Sequence, residues 1–243
     1  MGSSERAAKA DPFAVTDFPM SDKGSIGAIF DWDGVVIDSS AHHEESWERL
    51  AKETGYQLPP GHFKKGFGMK NEFIIPNLLQ WTTDPIEIER LSLRKEALYR
   101  DIVLEWGLKP LSGVVTWLNQ LQEAGIPCAI GSSTHRLNVE TGLASIGLRD
   151  RFKVIITAED VSHGKPDPEV FLKAASRLGV PPEKGVVFED ALVGIEAAHR
   201  GGMKVVAVAT TNPIDLLKDA DLALHQLDEL SVDRLRELLG DSP

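Results

Sequence analysis

The chain has one cysteine, Cys128, so no disulfide can form within it and nothing in its composition points to an oxidising compartment. Cys128 sits in the apolar stretch PCAIGSS, where a thiol that simply packs is expected. Blocks of lysine or arginine are also missing. Together with a formal net charge of -11, this argues against a nucleic-acid surface, where basic stripes supply most of the affinity. Small ligands are the expected partners. No apolar stretch approaches the roughly 20 residues of a membrane span, and the opening MGSSERAAKADPFAVTDFPM lacks the apolar region of a secretory signal. Its acidic residues also count against an organelle transit peptide, so the expectation is a cytoplasmic monomer with no membrane and no nucleic-acid partner. Residues 1–23, rich in Ala, Ser, Pro and charge, are expected to form a loosely ordered tail. There is no internal repeat and no low-complexity tract.

What is present is ordinary globular composition, 42% hydrophobic and 26% charged over 243 residues, enough for one sizeable core and a smaller insert. Short apolar runs recur at 26–30, 127–132, 154–157, 185–188 and 205–209, the last four separated by segments of helical period. That alternation predicts an α/β fold, a doubly wound parallel sheet of Rossmann type with helices on both faces. The long interval between the first two runs shows no strand pattern. EESWERLAKE, NEFIIPNLLQW and PIEIERLSLRKEALYRDIVLEW read there as amphipathic helices. LSGVVTWLNQLQEAG reads as the crossover helix, with Gly113 near its start and Gly125 closing it. The expected organisation is a core of residues 24–39 and 109–243, with a helical cap of residues 40–108 inserted into it.

The first run ends in FDWDGV, which places Asp31 and Asp33 around a tryptophan where a buried strand stops. Residues i and i+2 of a strand point the same way, so both carboxylates can face one crevice. In open parallel sheets ligands bind beyond the carboxyl ends of the strands. Asp33-Gly34 read alone is a hairpin turn, yet no second strand follows it. The second run ends in IGSST, where Ser132, Ser133 and Thr134 can bind an anion or simply cap the next helix. SHGKPDP, after the third run, carries Lys165, locally an ordinary solvated lysine. The fourth ends in VVFEDALVGIEAA, with Glu189 and Asp190 heading a helix, and Asp190 read alone is its N-cap.

In this order, DWDGV at 31–35, IGSS at 130–133, GKPDP at 164–168 and FEDALVGIEAA at 188–198 make the chain resemble the haloacid dehalogenase-like hydrolase superfamily. The resemblance, over residues 26–235, is to its branch of small phosphatases and β-phosphoglucomutase, and it implies a doubly wound core with a helical cap after the first motif. It implies Asp31 as nucleophile, forming an aspartyl-phosphate, and Asp33 as general acid and then base. It implies Mg2+ held by Asp31, the backbone carbonyl of Asp33 and Asp190, with Glu189 in a supporting or direct role. Ser132, Ser133 and Lys165 would hold the phosphoryl oxygens. Asp33 also separates a phosphatase from a dehalogenase, whose halide leaves without a proton.

Substrate choice is expected in the cap. His43 and Lys95 align with cap positions that β-phosphoglucomutase uses near its sugar phosphate, although each read locally is a polar residue on a helix face. Where the mutase has Gly-x-Ser-Arg, whose arginine grips a second phosphate, this chain has GMKN. Asn71 cannot replace that charge, and Lys70 can offer only a point charge without the planar fork of arginine. Trp47, Trp81 and Trp106 are expected in the small core of the cap. The resulting expectation is a Mg2+-dependent phosphatase of a small phosphorylated metabolite, a sugar phosphate foremost. β-Phosphoglucomutase is the alternative, and a catalytically silent binding protein a remote one.

Overall fold

The structure, a computed structural model, describes residues 26–66 and 69–240; the expected tail at 1–23 and Gly68 lie outside them. Six strands form one sheet: β1 (Gly27–Phe30), β2 (Cys128–Gly131), β3 (Val154–Ile156), β4 (Gly185–Glu189), β5 (Lys204–Val208) and β6 (Leu222–Leu224). Their order is β3-β2-β1-β4-β5-β6 and every pair is parallel. Helices cover both faces, so the inner strands are buried on each side and read as continuous apolar runs. The pleat still sorts them: Ala28, Phe30, Val186 and Phe188 join one core, whereas Ile29 and Val187 join the other. The sequence pattern did not foretell β6. Its three residues at the sheet edge, two of them only half-buried, are too few to show a period.

Helices α1 (Ser40–Thr54), α2 (His62–Gly66), α3 (Asn71–Phe73) and α4 (Pro85–Trp106) fill the insert. The core carries α5 (Val114–Glu123), α6 (Arg136–Ile146), α7 (Glu169–Leu178), α8 (Leu192–Arg200) and α9 (Val232–Leu238). α4 has the expected bounds because its ends are chemically marked. The Asp84 side chain accepts the Ile86 N–H at 3.1 Å, Pro85 fills a first-turn position that needs no donor, and Gly107 follows at φ +74°. NEFIIPNLLQW departs from the single helix expected: three α-helical residues run into a π-helical stretch, Ile74–Leu79. Pro76 lies inside it, lacking an N–H and crowding the carbonyl four residues back, which a wider turn relieves.

The insert has its own apolar cluster, including Trp47, Leu50, Ile75, Trp81, Leu91 and Leu98, with Trp47 edge-on to Trp81 at 5.9 Å. Trp106 is not part of it. It ends α4, 51% exposed, against the His42 ring. The chain enters and leaves the insert side by side, because Ile37 bridges Pro110 and the Leu111 N–H donates to Val36 O at 2.9 Å. α4 packs along α1 and reaches α6 of the core. Cys128 is buried as expected, and burial pushes its thiol up to about 12. Among the described residues, no helix is long and apolar enough to cross a membrane.

Candidate active site

The strand order reverses at β1 and β4, where the connections run to opposite sides and leave a crevice at the carboxyl ends. Phe30 is in register with Phe188, their rings stack at 4.5 Å, and the Asp31 N–H donates to Phe188 O at 3.0 Å. The residues just beyond these strands, Asp31 on one side and Glu189–Asp190 on the other, are thereby forced together. Two glycines make this approach possible. Gly34 turns at φ +80°, and a Cβ there would lie 1.9 Å from Asp190 Oδ2; a Cβ on Gly194 would lie 1.8 Å from Glu189 Oε1.

Asp31, Glu189 and Asp190 are all buried, with carboxylate oxygens within 4.8 Å of one another. Lys165 is the cation among them, its ammonium 2.9 Å from Asp31 Oδ1 and also paired with Glu189 Oε1. It is therefore not the solvated loop lysine of the local reading. Glu189 Oε2 accepts the N–H groups of Asp190 and Ala191 at 2.8 and 2.9 Å, so Glu189 satisfies the start of α8. Asp190 is no N-cap: that position belongs to Ala191, and Asp190 Oδ2 is buried without a hydrogen-bond partner. Burial and the facing Glu189 charge push both Asp31 and Asp190 above the usual carboxylate range, although Lys165 opposes this. Burial would lower Lys165, but the Asp31 and Glu189 charges hold it above its ordinary value. One lysine does not balance three buried carboxylates. All-oxygen donors, one of them orphaned, suit a hard divalent cation such as Mg2+.

Asp33 faces elsewhere. Its Oδ1 accepts the Ser39 hydroxyl, its Oδ2 accepts the Thr134 hydroxyl, and His43 Nε2 stands 3.5 Å from Oδ1. Burial opposes it, yet these three partners hold the carboxyl below its usual range. Its side chain thus stays out of the carboxylate trio. His43 stacks on Tyr99 at 4.1 Å, and its Nδ1 lies 2.8 Å from Lys95 Nζ. Burial and the Lys95 charge push this imidazole below its ordinary value, although Asp33 opposes this. An ammonium only donates, so Nδ1 accepts and Nε2 carries the proton toward Asp33.

Lys95 is 4% exposed and pairs with Glu96 Oε1 at 3.0 Å. Glu96 also accepts from Asn71 Nδ2 at 2.6 Å and from Asn138 Nδ2. Burial would raise its carboxyl, but the Lys95 charge and the Asn71 bond draw it down to about 2. Lys70 is exposed and lies over the phosphate-loop candidate: a Cβ on Gly164 would be 3.3 Å from Lys70 Cε. Ser132 is buried, its hydroxyl accepting the Thr134 N–H at 3.2 Å, and Ser133 is half-buried. Neither caps α6, which begins at Arg136 after His135. Ser39, Glu96 and Asn138 were not foreseen, nor was Thr134 as a partner of Asp33. Glu96 and Asn138 acquire their roles only when α4 meets α6, and Ser39 and Thr134 only when their segments fold over Asp33, so no local pattern marks them.

The sheet topology and the four motifs define a class, and a sequence profile of the haloacid dehalogenase-like hydrolases matches residues 28–208; the chain belongs to that family. Within it, the chain falls in the phosphatase and β-phosphoglucomutase-like branch. A chloroplastic 5-amino-6-(5-phospho-D-ribitylamino)uracil phosphatase of Arabidopsis thaliana is 42% identical over 218 residues, 88% of this chain and 58% of that relative, so this chain spans little more than half its length. Validoxylamine A 7'-phosphate phosphatase of Streptomyces hygroscopicus subsp. limoneus is 32% identical over 204 residues, 84% of this chain and 94% of that protein. Among solved structures, β-phosphoglucomutase of Clostridium difficile superposes with a TM-score of 0.78 at 25% identity, over 89% of this chain and 98% of the other.

Proposed function

We propose that the chain is a Mg2+-dependent phosphatase that hydrolyses a small phosphorylated metabolite, a sugar phosphate foremost, through an aspartyl-phosphate on Asp31. The carrying observation is that one crevice holds two carboxyls in opposite surroundings: Asp31 within the acidic trio and beside Lys165, Asp33 beside three donors. Asp31, Asp190 and the Asp33 carbonyl would hold Mg2+, which supplies the positive charge that a phosphate dianion needs among carboxylates. Glu189, bonded on both oxygens, supports Lys165 from behind. Lys165 and the hydroxyls of Ser132 and Ser133 bind the phosphoryl oxygens.

Asp31 attacks phosphorus, the ester P–O bond breaks, and Asp33 gives a proton to the departing oxygen. Asp33 rests ionised; it takes up that proton as the dianionic ester enters beside it, since adjacent negative charge raises a carboxyl pKa. The regenerated carboxylate then takes a proton from the water that attacks phosphorus, the bond to Asp31 breaks, and orthophosphate leaves.

A mutase must grip a second phosphate with cap cations. Here Lys95 is buried and neutralised by Glu96, and Asn71 donates to Glu96. Lys70, a point charge, lies beside Gly164 of the GKPDP loop, and this balance favours hydrolysis. The test is phosphate release with Mg2+ from a panel of sugar phosphates, phosphoglycolate, nucleotides and phosphorylated ribityl compounds. Release from at least one small ester is expected. Conversion of a hexose 1-phosphate, primed with its bisphosphate, to its isomer faster than phosphate appears would overturn hydrolysis in favour of the mutase.

A further inference from the structure

We propose that Asn138 is a positioning residue that ties the cap to the core and thereby sets Asp33 for proton transfer. This step rests on the acid role given to Asp33 in the phosphatase reaction above.

Asn138 lies on α6 of the core and is 0% exposed. Its Nδ2 donates to Glu96, and its Oδ1 accepts from Arg100 Nη1 at 2.8 Å. Both partners are on α4, four residues apart and therefore on one face of the helix. A carboxylate only accepts and a guanidinium only donates, so the amide fits in one orientation; reversed, its NH2 would meet Arg100. Satisfying both bonds fixes α4 on α6 at a single register. Withdrawing the cap would strip both partners from a buried amide, a cost that ties the polar contact to closure.

The link continues to the reacting groups. Glu96 holds Lys95 at 3.0 Å, Lys95 donates to His43 Nδ1 at 2.8 Å, and the Nε2–H this leaves on His43 faces Asp33 Oδ1 at 3.5 Å. The path starts on the core at Asn138, passes through the cap and returns to the core at Asp33. Without Asn138, Glu96 keeps Asn71 on Oε1 but loses its Oε2 partner on the core, so its hold on Lys95 against His43 weakens and the donor set on Asp33 loosens.

Two variants test this. Asn138→Leu removes both bonds at nearly constant size, and Asn138→Ala removes the same two bonds with less apolar bulk should the first fail to fold. For each, kcat/KM is measured with an alkyl phosphate and with p-nitrophenyl phosphate, whose leaving group needs little protonation. The expected result is a loss of about tenfold or more on the alkyl ester and about threefold or less on the aryl ester. Equal losses on both, or none, would overturn the assignment. Should the wild type release phosphate from no ester, the phosphatase reading fails on its own, and hydrogen exchange decides the tie. Faster exchange across α4 and the 36–38 and 107–111 linkers in the variant, with the sheet unchanged, supports it; unchanged exchange there sinks it.

Discussion

Asp31 and Asp33 carry the same side chain two positions apart, yet their neighbours place them in opposite surroundings, from which the proposed division of roles follows. Asp31→Asn is expected to abolish turnover of every ester, because the proposed aspartyl-phosphate could not form. Asp33→Asn leaves the nucleophile in place and should cost esters with poor leaving groups about tenfold more than an activated aryl phosphate, compared by kcat/KM. The same loss on both ester types would remove Asp33 from the proton step. Gly34 is the other decisive residue. Gly34→Ala meets a positive φ and drives a methyl group into Asp190, so a loss of about 1–3 kcal/mol in urea unfolding is expected, with near-complete loss of activity. Full activity at unchanged stability would show that Asp190 can move aside.

Among elements, α4 carries the most chemistry, presenting Lys95, Glu96, Tyr99 and Arg100 to their partners from one buried side. Glu96 gives it an acid-sensitive anchor. Its folded pKa of about 2 lies below the unfolded value of 4.5, so its contribution is fully present above pH 4.5 and is lost as pH falls toward 2. The size is on the order of 3 kcal/mol. Stability measured by urea unfolding should fall through that window in the wild type and fall less steeply in Glu96→Gln; parallel slopes would refute the anchor. The bounds of α4 were legible because Asp84, Pro85 and Gly107 mark them in the sequence. The π turn after Phe73 and the edge strand β6 were not, since one follows from a proline inside a helical pattern and the other is too short to have a period.

For the whole molecule, the sheet, its helical insert and the gathering of Asp31, Lys165, Glu189 and Asp190 were readable because four motifs at strand ends follow one another in the order of the family they resemble. The wiring behind Asp33 was not, because it joins residues far apart in sequence: Asn71 to Glu96, Glu96 to Asn138, Thr134 to Asp33. A buried acidic trio short of positive charge should also show in bulk stability. Mg2+ near a hundredfold of its Kd is expected to raise the thermal midpoint by roughly 5–10 °C, and Asp190→Asn should shrink that rise. An equal rise in both proteins, read by thermal scans with chelator as reference, would place the cation elsewhere.

The paired segments at Ile37 and Pro110 hold the two ends of the insert side by side. An insertion whose ends nearly touch can be exchanged like a cassette, because the core receives the same two anchor points whatever lies between them. Chimeras that carry another relative's helices across this seam should keep the core's chemistry and take on the donor's substrate preference.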